Sequence, residues 1–195
     1  LTVFSACRLI NEIVVVVPEN ETDFCLTEII EPLGMSKAVK ISAGGRERQD
    51  SVRCGLRVTS ADSDYVVVHD GARPLLTLSL LESVIRQAFV SGAAIAAVPV
   101  KDTIKIADDA GFVVDTPARD RLWSVQTPQV FRKDILLAAH EYAQVNGIFG
   151  TDDSYLVEKL GHPVKIVSGD YENIKITTPE DLQIAEAILL GRKNR

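Results

Sequence analysis

Short apolar runs alternate with stretches of helical spacing along most of this chain. Residues 13–17, 65–68 and 93–98 are almost entirely apolar, which is typical of strands buried on both faces of a sheet. Segments with helical apolar spacing, such as 78–90, lie between such runs. Because parallel strands need helical crossovers, this alternation predicts an α/β fold with a doubly wound, mostly parallel, Rossmann-like sheet.

Capping signals mark several helix ends. Thr77 is the predicted cap of the helix at 78–90. The final helix has the clearest start, with Thr178 as cap, Pro179 at the first helical position and Asp181 three residues after the cap. The other predicted elements are strands at 38–42, 164–167 and 174–176, helices at 22–32, 132–145 and 152–160, and a helix through residue 58 that Asp50 or Ser51 caps.

Residues 101–122 interrupt this alternation. Two short alternating stretches, 103–106 and 112–115, flank Asp108-Asp109-Ala110-Gly111, a composition that favours a tight turn. The segment therefore predicts a β-hairpin. Because it carries few core residues, we expect it to protrude from the body of the protein as an arm, defined here as residues 101–122.

The composition bounds the class of protein. The chain has 195 residues, 46% hydrophobic and 25% charged, which predicts a single domain across residues 1–195. Its longest apolar run is too short to cross a bilayer, and no stretch has the order of a signal peptide. The net charge of −6 argues against nucleic-acid binding. Cys7, Cys25 and Cys54 lack metal-ligand spacing and predict reduced thiols in a cytoplasmic protein.

Four segments follow predicted strands and should meet at one edge of the sheet. Ligands of open α/β sheets bind beyond the carboxyl ends of the strands, where we place residues 43–51, residues 69–74, Thr103 with the arm, and Lys175. In the first segment two glycines allow close backbone approach, and a helix N-terminus follows with free N–H groups. A plain turn with a helix cap explains the same residues.

Two places carry carboxylates that could hold a metal ion. Asp70 directly follows the strand at 65–68 and is a candidate ligand for Mg²⁺ or for a ribose hydroxyl. Asp152 and Asp153 could form a metal pair, but acidic residues are also expected in the first turn of a helix. We favour the capping role for that pair.

Cations and hydroxyls near the same edge suit a phosphorylated polyol. Arg73 could bind phosphate oxygens in a bidentate way, or it could stiffen its turn by pairing with Asp70. His69 is interpreted as structural, because it has no partner with which to form a catalytic triad. Any single exposed cation is more commonly just solvated. The other candidates are Arg119, Arg121 and Lys175, with the hydroxyls of Thr103, Thr127 and Thr151.

These motifs occur together, and in the same order, in one family. The sequence resembles the 2-C-methyl-D-erythritol 4-phosphate cytidylyltransferases of the non-mevalonate isoprenoid pathway. Any one motif is weak, whereas the ordered set spans nearly the whole chain. The matching stretches are GGRERQDSV (44–52), VHDGARP (68–74), VPVKDTIK (98–105), LWSVQTPQVF (122–131), TDD (151–153) and NIKITTPEDL (173–182).

The resemblance implies a nucleotidyltransferase with Mg²⁺ as cofactor and a homodimer in which the arm reaches the neighbouring subunit's site. The substrate phosphate would attack the α-phosphorus of CTP in line and release pyrophosphate. Arg119 and Lys175 would aim that phosphate, and Asp70 would lie near the metal. The implied nucleotide-binding residues are Gly45, Arg46, Ser51, Asp70, Gly71 and Arg73, and the implied substrate-binding residues are Thr103, Arg119, Thr127, Thr151 and Lys175.

One part of the family pattern has no counterpart here. Members begin with a strand and a glycine-rich loop whose Arg and Lys hold the CTP phosphates, so we expect a domain without its first strand and loop. We expect the polypeptide as given to be inactive or nearly so, and the full gene product to be active. Three alternatives stay open: a ribitol 5-phosphate cytidylyltransferase, a truncated pseudoenzyme that dimerises through the arm, and a dinucleotide-dependent dehydrogenase, for which no Gly-x-Gly-x-x-Gly is present.

Overall fold

Four strands form the central sheet of the computed structural model, which describes residues 1–35 and 37–193. They are β3 (Tyr65–Val68), β4 (Ala93–Pro99), β7 (Trp123–Arg132) and β8 (Lys165–Ser168), in the spatial order β3–β7–β4–β8. β4 and β8 are parallel, whereas β7 is antiparallel to both β3 and β4. Among the described strands of this sheet, β3, β4 and β8 run in one direction, and β7, which has no counterpart among the predicted strands, runs against them.

A second sheet has two parallel strands, β1 (Glu12–Val17) and β2 (Ala38–Ala43). The crossover between them is helical but is not the single regular helix predicted at 22–32. The structure confirms a mixed α/β fold with a central sheet, while a doubly wound sheet stays a prediction. The crossover consists of a 3₁₀ turn (Glu19–Glu21), α2 (Thr22–Phe24), a π-helical stretch (Cys25–Ile30) and α3 (Glu31–Leu33).

Helices cover both faces of the central sheet. On one face Leu81 and its neighbours pack against Val130. On the other face Leu136 and Leu156 pack against Phe131, the next residue of the same strand. Full burial of a Leu or Phe side chain stabilises the fold by about 1.5–3 kcal/mol, so this sheet forms the main core. The helices are α5 (Leu78–Ser91) on the first face, and α6 (Lys133–Asn146) and α7 (Asp153–Lys159) on the second.

The ends of two helices follow the predicted signals. Thr77 Oγ1 accepts a hydrogen bond from the Leu80 N–H at 3.3 Å at the start of α5, and Gly92 ends that helix with a φ of 79°. The last helix, α8, spans Pro179–Lys193. The Asp181 carboxylate accepts hydrogen bonds at 2.8 and 2.9 Å from the backbone N–H groups of the two threonines before this helix. Both predicted helix starts are confirmed.

The helix after β2 begins earlier than predicted. It is α4 (Arg48–Val58), so Asp50 and Ser51 lie inside its first turn and do not cap it. α4 packs closely on β1: a Cβ added at Gly55 would lie 2.9 Å from the Val16 side chain. None of the helices within the described ranges, which also include α1 (Thr2–Ala6), is long and apolar enough to span a bilayer.

The segment at 101–122 contains a short hairpin. β5 (Ile106–Ala107) pairs antiparallel with β6 (Val113–Asp115), over fewer residues than predicted. Phe112 is 72% exposed and its two valine neighbours are exposed too. The strand predicted at 174–176 is absent from the described fold: the Ile176 N–H donates to the Ala72 carbonyl at 2.8 Å, but no strand ladder forms there.

Candidate functional site

Asp70 and Lys175 meet at one edge of the central sheet. Lys175 Nζ lies 3.0 Å from Asp70 Oδ2. Each residue follows a strand, β3 or β8, and these two strands run in the same direction. The structure therefore brings together two of the residues that the sequence places beyond the carboxyl ends of strands.

A chain of hydrogen bonds fixes the turn that carries Asp70. The Asp70 N–H donates to Thr127 Oγ1 at 3.1 Å, and the Thr127 hydroxyl lies 3.0 Å from His69 Nδ1. His69 Nε2 lies 3.0 Å from the Arg73 carbonyl oxygen. Because a carbonyl only accepts, His69 carries its proton on Nε2, and its Nδ1 accepts from Thr127. Burial lowers the pKa of His69 and favours this neutral form. His69 thus holds the turn, as its structural interpretation expects.

Arg73 is committed to backbone groups. Its guanidinium donates to the Asn173 carbonyl at 2.8 Å and, more weakly, to the Val125 carbonyl at 3.5 Å. Burial lowers its pKa. Arg73 therefore ties the turn after β3 to β7 and to the segment before Lys175. Arg73 thus stiffens the site by donating to backbone carbonyl groups, and not by the predicted ion pair with Asp70.

Arg48 is the site residue that the sequence did not reveal. Its Nε lies 3.2 Å from Asp70 Oδ1 and its NH1 lies 2.8 Å from Asp153 Oδ2. The other oxygen of Asp153 lies 3.1 Å from His140 Nε2. Arg48 sits inside the GGRERQDSV motif, and a cation among the first residues of a helix, where acids are favoured, is the one local signal of a special role.

The Asp70 carboxylate is held between two cations. Burial alone would raise the pKa of Asp70, but the hydrogen bond from Lys175 and the charge of Arg48 outweigh it and hold this pKa below its ordinary value. The side chain is 16% exposed. Asp70 is therefore a fixed negative charge at neutral pH, with one oxygen on each cation.

The glycine loop after β2 reaches the same edge. Glu12, at the start of β1, accepts a hydrogen bond at 3.0 Å from Ser60 N–H, just before β3. At the other end Arg48, after β2, contacts Asp70, after β3, so β1 and β2 run in the same direction as β3. Within the loop the Gly45 N–H donates to Ser51 Oγ at 3.1 Å.

Gly45 has no room for a side chain. An added Cβ would lie 2.3 Å from the Asp50 Cβ, and the backbone cannot separate these groups without opening the turn. Ser51 Oγ lies 3.1 Å from the Glu47 carbonyl, so its hydroxyl donates there while it accepts from Gly45. Ser51 therefore shapes the loop, while Gly45 and Arg46 are exposed on it.

The remaining predicted residues make no described hydrogen bond or ion pair with the Asp70 side chain. Thr103 and Arg119 are exposed on the arm, and the Arg119 guanidinium donates to the Lys101 carbonyl at 2.9 Å. Thr151 is exposed just before α7, and Gly71 is exposed on the turn after β3. No hydrogen bond or ion pair within residues 1–35 and 37–193 joins Thr103, Arg119 or Thr151 to Asp70.

Two cavities border this edge. The larger, about 1290 Å³, is lined by residues of β1 and β3 and extends to Arg48, Asp70 and Arg73. Its walls along the strands are apolar and its end at the site is charged. The smaller, about 440 Å³, is lined by Arg48, Thr151 and their neighbours. Arg48 lines both cavities.

The carboxylates near the site do not form a metal cluster. In the described part of the chain no group of three His, Cys, Asp or Glu side chains could hold a metal ion. Asp152 caps α7, accepting from the Tyr155 N–H at 2.9 Å, which confirms the capping interpretation. Asp153 is committed to its ion pairs. Among the described residues at this edge, Asp70 would be the ligand for a Mg²⁺ ion that takes its other ligands from phosphates and water, and its two oxygens already face Arg48 and Lys175.

Comparison with known sequences places the chain among closely similar proteins. Residues 1–191 match the family model described as "IspD: 2-C-methyl-D-erythritol 4-phosphate cytidylyltransferase". A protein of that name from Alkaliphilus oremlandii is 52% identical over 193 residues, covering 99% of this chain and 82% of the relative. One from Caldanaerobacter subterraneus subsp. tengcongensis is 50% identical over 186 residues, covering 95% of this chain and 82% of the relative.

Solved structures of proteins with related names are also similar to this chain. The crystal structure of a 4-diphosphocytidyl-2C-methyl-D-erythritol synthase from Anaerococcus prevotii superposes with a TM-score of 0.90 at 35% identity, covering 97% of this chain and 83% of that one. The 2-C-methyl-D-erythritol 4-phosphate cytidylyltransferase of Thermus thermophilus gives a TM-score of 0.79 at 34% identity, covering 95% and 85% of the two chains.

Proposed function

The chain belongs to the family of 2-C-methyl-D-erythritol 4-phosphate cytidylyltransferases, and from this premise we propose that Asp70, Lys175 and their neighbours form its catalytic site. It is a nucleotidyltransferase that joins CTP to 2-C-methyl-D-erythritol 4-phosphate, giving 4-diphosphocytidyl-2-C-methyl-D-erythritol and pyrophosphate in isoprenoid precursor synthesis. The observation that carries the site is the Asp70–Lys175 ion pair at the carboxyl edge of the central sheet.

The chemistry needs alignment and positive charge. An oxygen of the substrate phosphate forms a bond to the α-phosphorus of CTP, and the bond from that phosphorus to the bridging oxygen breaks as pyrophosphate leaves. The attacking phosphate is already ionised at neutral pH, so no general base is required. The protein must hold the two phosphates in line and stabilise the developing negative charge.

Lys175 is the cation best suited to that task. Its side chain is 43% exposed, and its ammonium keeps donors free beyond the one that faces Asp70. Lys175 can therefore contact a substrate phosphate without leaving Asp70. Thr127 lies on the same edge, and its buried hydroxyl, which donates to His69 and accepts from the Asp70 N–H, would serve the substrate by holding that turn. To this half of the substrate site we add Thr151, which lines a cavity with Arg48.

The nucleotide would occupy the other half. Gly45 and Arg46 are exposed on the loop after β2 and would face the cytosine, with Ser51 holding the loop in shape. Asp70 and Gly71 would meet the ribose and the triphosphate, with Arg73 fixing the turn that carries them. A Mg²⁺ ion bound to the triphosphate would neutralise phosphate charge, and Asp70 would supply its one protein ligand.

We further propose a homodimer that forms through the arm in the cytoplasm. Phe112, Val113 and Val114 are exposed at the hairpin tip, where a second subunit would cover them. Thr103 and Arg119 would then serve the partner's site, which agrees with the absence of a described hydrogen bond from either residue to Asp70. Light scattering that gives the mass of one chain at micromolar concentration would contradict the dimer.

The three cysteines are free, as a reducing compartment requires.

Pyrophosphate release tests the proposed function. We expect release from CTP and Mg²⁺ with 2-C-methyl-D-erythritol 4-phosphate, and much slower release with ribitol 5-phosphate at the same concentration. Faster release with ribitol 5-phosphate would favour the sister activity.

A further inference from the structure

Arg48 connects three parts of the molecule through one guanidinium. It lies at the start of α4, after β2, and contacts Asp70 after β3 and Asp153 at the start of α7. Arg48 is a direct ionic link between the loop after β2 (residues 44–47, here called the nucleotide loop) and the turn that carries Asp70.

The anchor of this link is buried. Asp153 is 1% exposed, and its second oxygen faces His140, which is 3% exposed and belongs to the core face of α6. A buried carboxylate with two directed partners has little freedom to rotate. Its hold on Arg48 therefore transfers the rigidity of the α6–α7 core to a side chain that is itself 33% exposed.

The contact from Arg48 fixes the orientation of the Asp70 carboxylate. Arg48 holds Oδ1 at 3.2 Å and Lys175 holds Oδ2 at 3.0 Å. With both oxygens held, the plane of the carboxylate is fixed. Without Arg48, Asp70 could rotate with Lys175, and a misplacement of about 1 Å in a reacting group can lower a rate about 10²-fold.

We infer that Arg48 is a positioning residue for cytidylyl transfer, which acts by fixing Asp70 and is anchored on Asp153. This inference rests on the proposed function. Arg48 orients the turn that faces the nucleotide without itself contacting the reacting phosphates. Its loss should therefore lower kcat far more than it raises KM for either substrate.

The positioning role requires an arginine at position 48. A guanidinium presents a planar fork of donors that can serve two carboxylates at once, whereas a lysine ammonium is a point charge on a flexible stem. Lysine at position 48 keeps the charge but loses the bridge. A role in charge alone and a role in geometry therefore give different results for Arg48→Lys.

The experiment compares Arg48→Gln, Arg48→Lys, Asp153→Asn and the Arg48→Gln/Asp153→Asn double variant. Arg53→Gln is the matched control, because Arg53 lies on the same helix, is 31% exposed and pairs with Asp50 at 3.0 Å. We expect Arg48→Gln to lower kcat about 10²-fold, with each KM changed less than about threefold. Arg48→Lys should stay within about fivefold of Arg48→Gln, and Arg53→Gln within about twofold of wild type.

The double variant separates positioning from folding. Arg48→Gln alone leaves the buried Asp153 charge uncompensated and can destabilise the fold, whereas the double variant removes that charge. If the residues act as one unit, the double variant loses no more kcat than the worse single variant. Full rescue of kcat by Arg48→Lys, multiplicative losses in the double variant, or a loss equal to that of Arg53→Gln would each overturn the inference.

A measurement that does not need turnover distinguishes failure of the proposed function from failure of the role inferred for Arg48. Absence of turnover in the wild type with either polyol phosphate, together with unchanged amide signals on addition of CTP and Mg²⁺, contradicts the proposed function. Positioning is then judged from backbone NMR order parameters at Asp70 and Gly71. We expect values near the rigid limit of about 0.85 in wild type and Arg53→Gln, falling toward about 0.6 in the double variant. Unchanged order parameters in the double variant would overturn the role of Arg48.

Discussion

The central sheet and the two-stranded sheet differ in how deeply their strands are buried. In β4 the residues from Ala93 to Val98 are all at most 6% exposed. In β1 only Ile13 is buried, at 8%, and its neighbours are partly exposed. The strands that carry the site are not the deeply buried ones: β3, before Asp70, is partly exposed like β1, and β8, before Lys175, is mostly exposed. The deep burial therefore belongs to the centre of the larger sheet, whereas Asp70, Lys175 and the nucleotide loop all follow less buried strands.

Polar contacts join both ends of the two-stranded sheet to the rest of the fold. At the amino end Glu12 accepts from Ser60 N–H, and Lys133 Nζ donates to the Ser60 carbonyl at 2.6 Å. At the carboxyl end Arg48 bridges to Asp70 and Asp153. Apolar packing adds to these contacts, because Leu56 of α4 lies in the same core as Phe131. The site is thus assembled from residues of both sheets.

The largest expected effect is on the stability of the central sheet. Leu81→Ala should lower the free energy of unfolding by about 2–5 kcal/mol, because Leu81 is fully buried. Val15→Ala in β1 should cost about 1 kcal/mol, since its side chain is only partly buried. Urea denaturation measures both. Equal losses would show that the two sheets contribute alike and would break the comparison.

The next largest expected effect is on the rate of the reaction at Asp70 and Lys175. Lys175→Met should lower kcat about 10²–10³-fold, the cost of one well-placed transition-state donor. Lys159→Met, at the end of α7 beside Tyr155, is the control and should leave kcat unchanged. Pyrophosphate release gives both rates. A loss of less than about fivefold for Lys175→Met would remove Lys175 from the reaction.

The nucleotide loop should respond differently. Gly45→Ala puts a methyl group 2.3 Å from the Asp50 Cβ, so the loop must open. Overpacking of this kind costs about 1–3 kcal/mol, and we expect it mainly as a raised KM for CTP with kcat changed little. Gly191→Ala has open space around it and serves as the control. If kcat fell as far as in Lys175→Met, the two halves would not be separable.

The smallest expected effect is on the amino-end contact and depends on pH. Burial alone would raise the pKa of Glu12, but the hydrogen bonds from Lys40 and Ser60 outweigh it and lower this pKa. A carboxyl whose folded pKa is lowered stabilises the fold above its unfolded pKa, and the contribution disappears as pH falls through the folded pKa. Glu12→Gln should therefore cost about 0.5–1 kcal/mol at pH 7 and nothing below the lowered folded pKa.

Thermal unfolding across this pH range, with the exposed Glu19→Gln as control, measures the difference. A cost for Glu12→Gln that persists unchanged into strong acid would show that the contact does not depend on the charge of Glu12.

The sequence predicted strands with continuous apolar runs and missed the one with polar residues. β3 appears at its predicted residues, since its run is apolar throughout. β7 contains Gln126, Thr127 and Gln129, which are buried, and both glutamines bond to groups distant in sequence. A hydropathy pattern cannot detect such a strand, because the partners that make its burial possible are set by the tertiary fold.

The site shows the same limit. Asp70 was predictable because it directly follows a strand that ends at this edge, whereas Lys175 was placed there on a strand at 174–176 that the structure does not form. Arg48 was not predictable, because its partners lie 22 and 105 positions away, and only the packed structure shows that one guanidinium spans both. The strand predicted at 174–176 failed for a related reason: its apolar alternation is real, but its backbone meets a turn and not another strand.

The most direct test of a site shared between the two sheets is an NMR titration of the ¹⁵N-labelled chain with CTP and Mg²⁺. Amide signals on the nucleotide loop, at Gly45 and Arg46, and on the central sheet, at Asp70, Gly71 and Lys175, should shift together and follow one dissociation constant. Shifts confined to one group, or two groups that follow different dissociation constants, would contradict a single site assembled from both sheets.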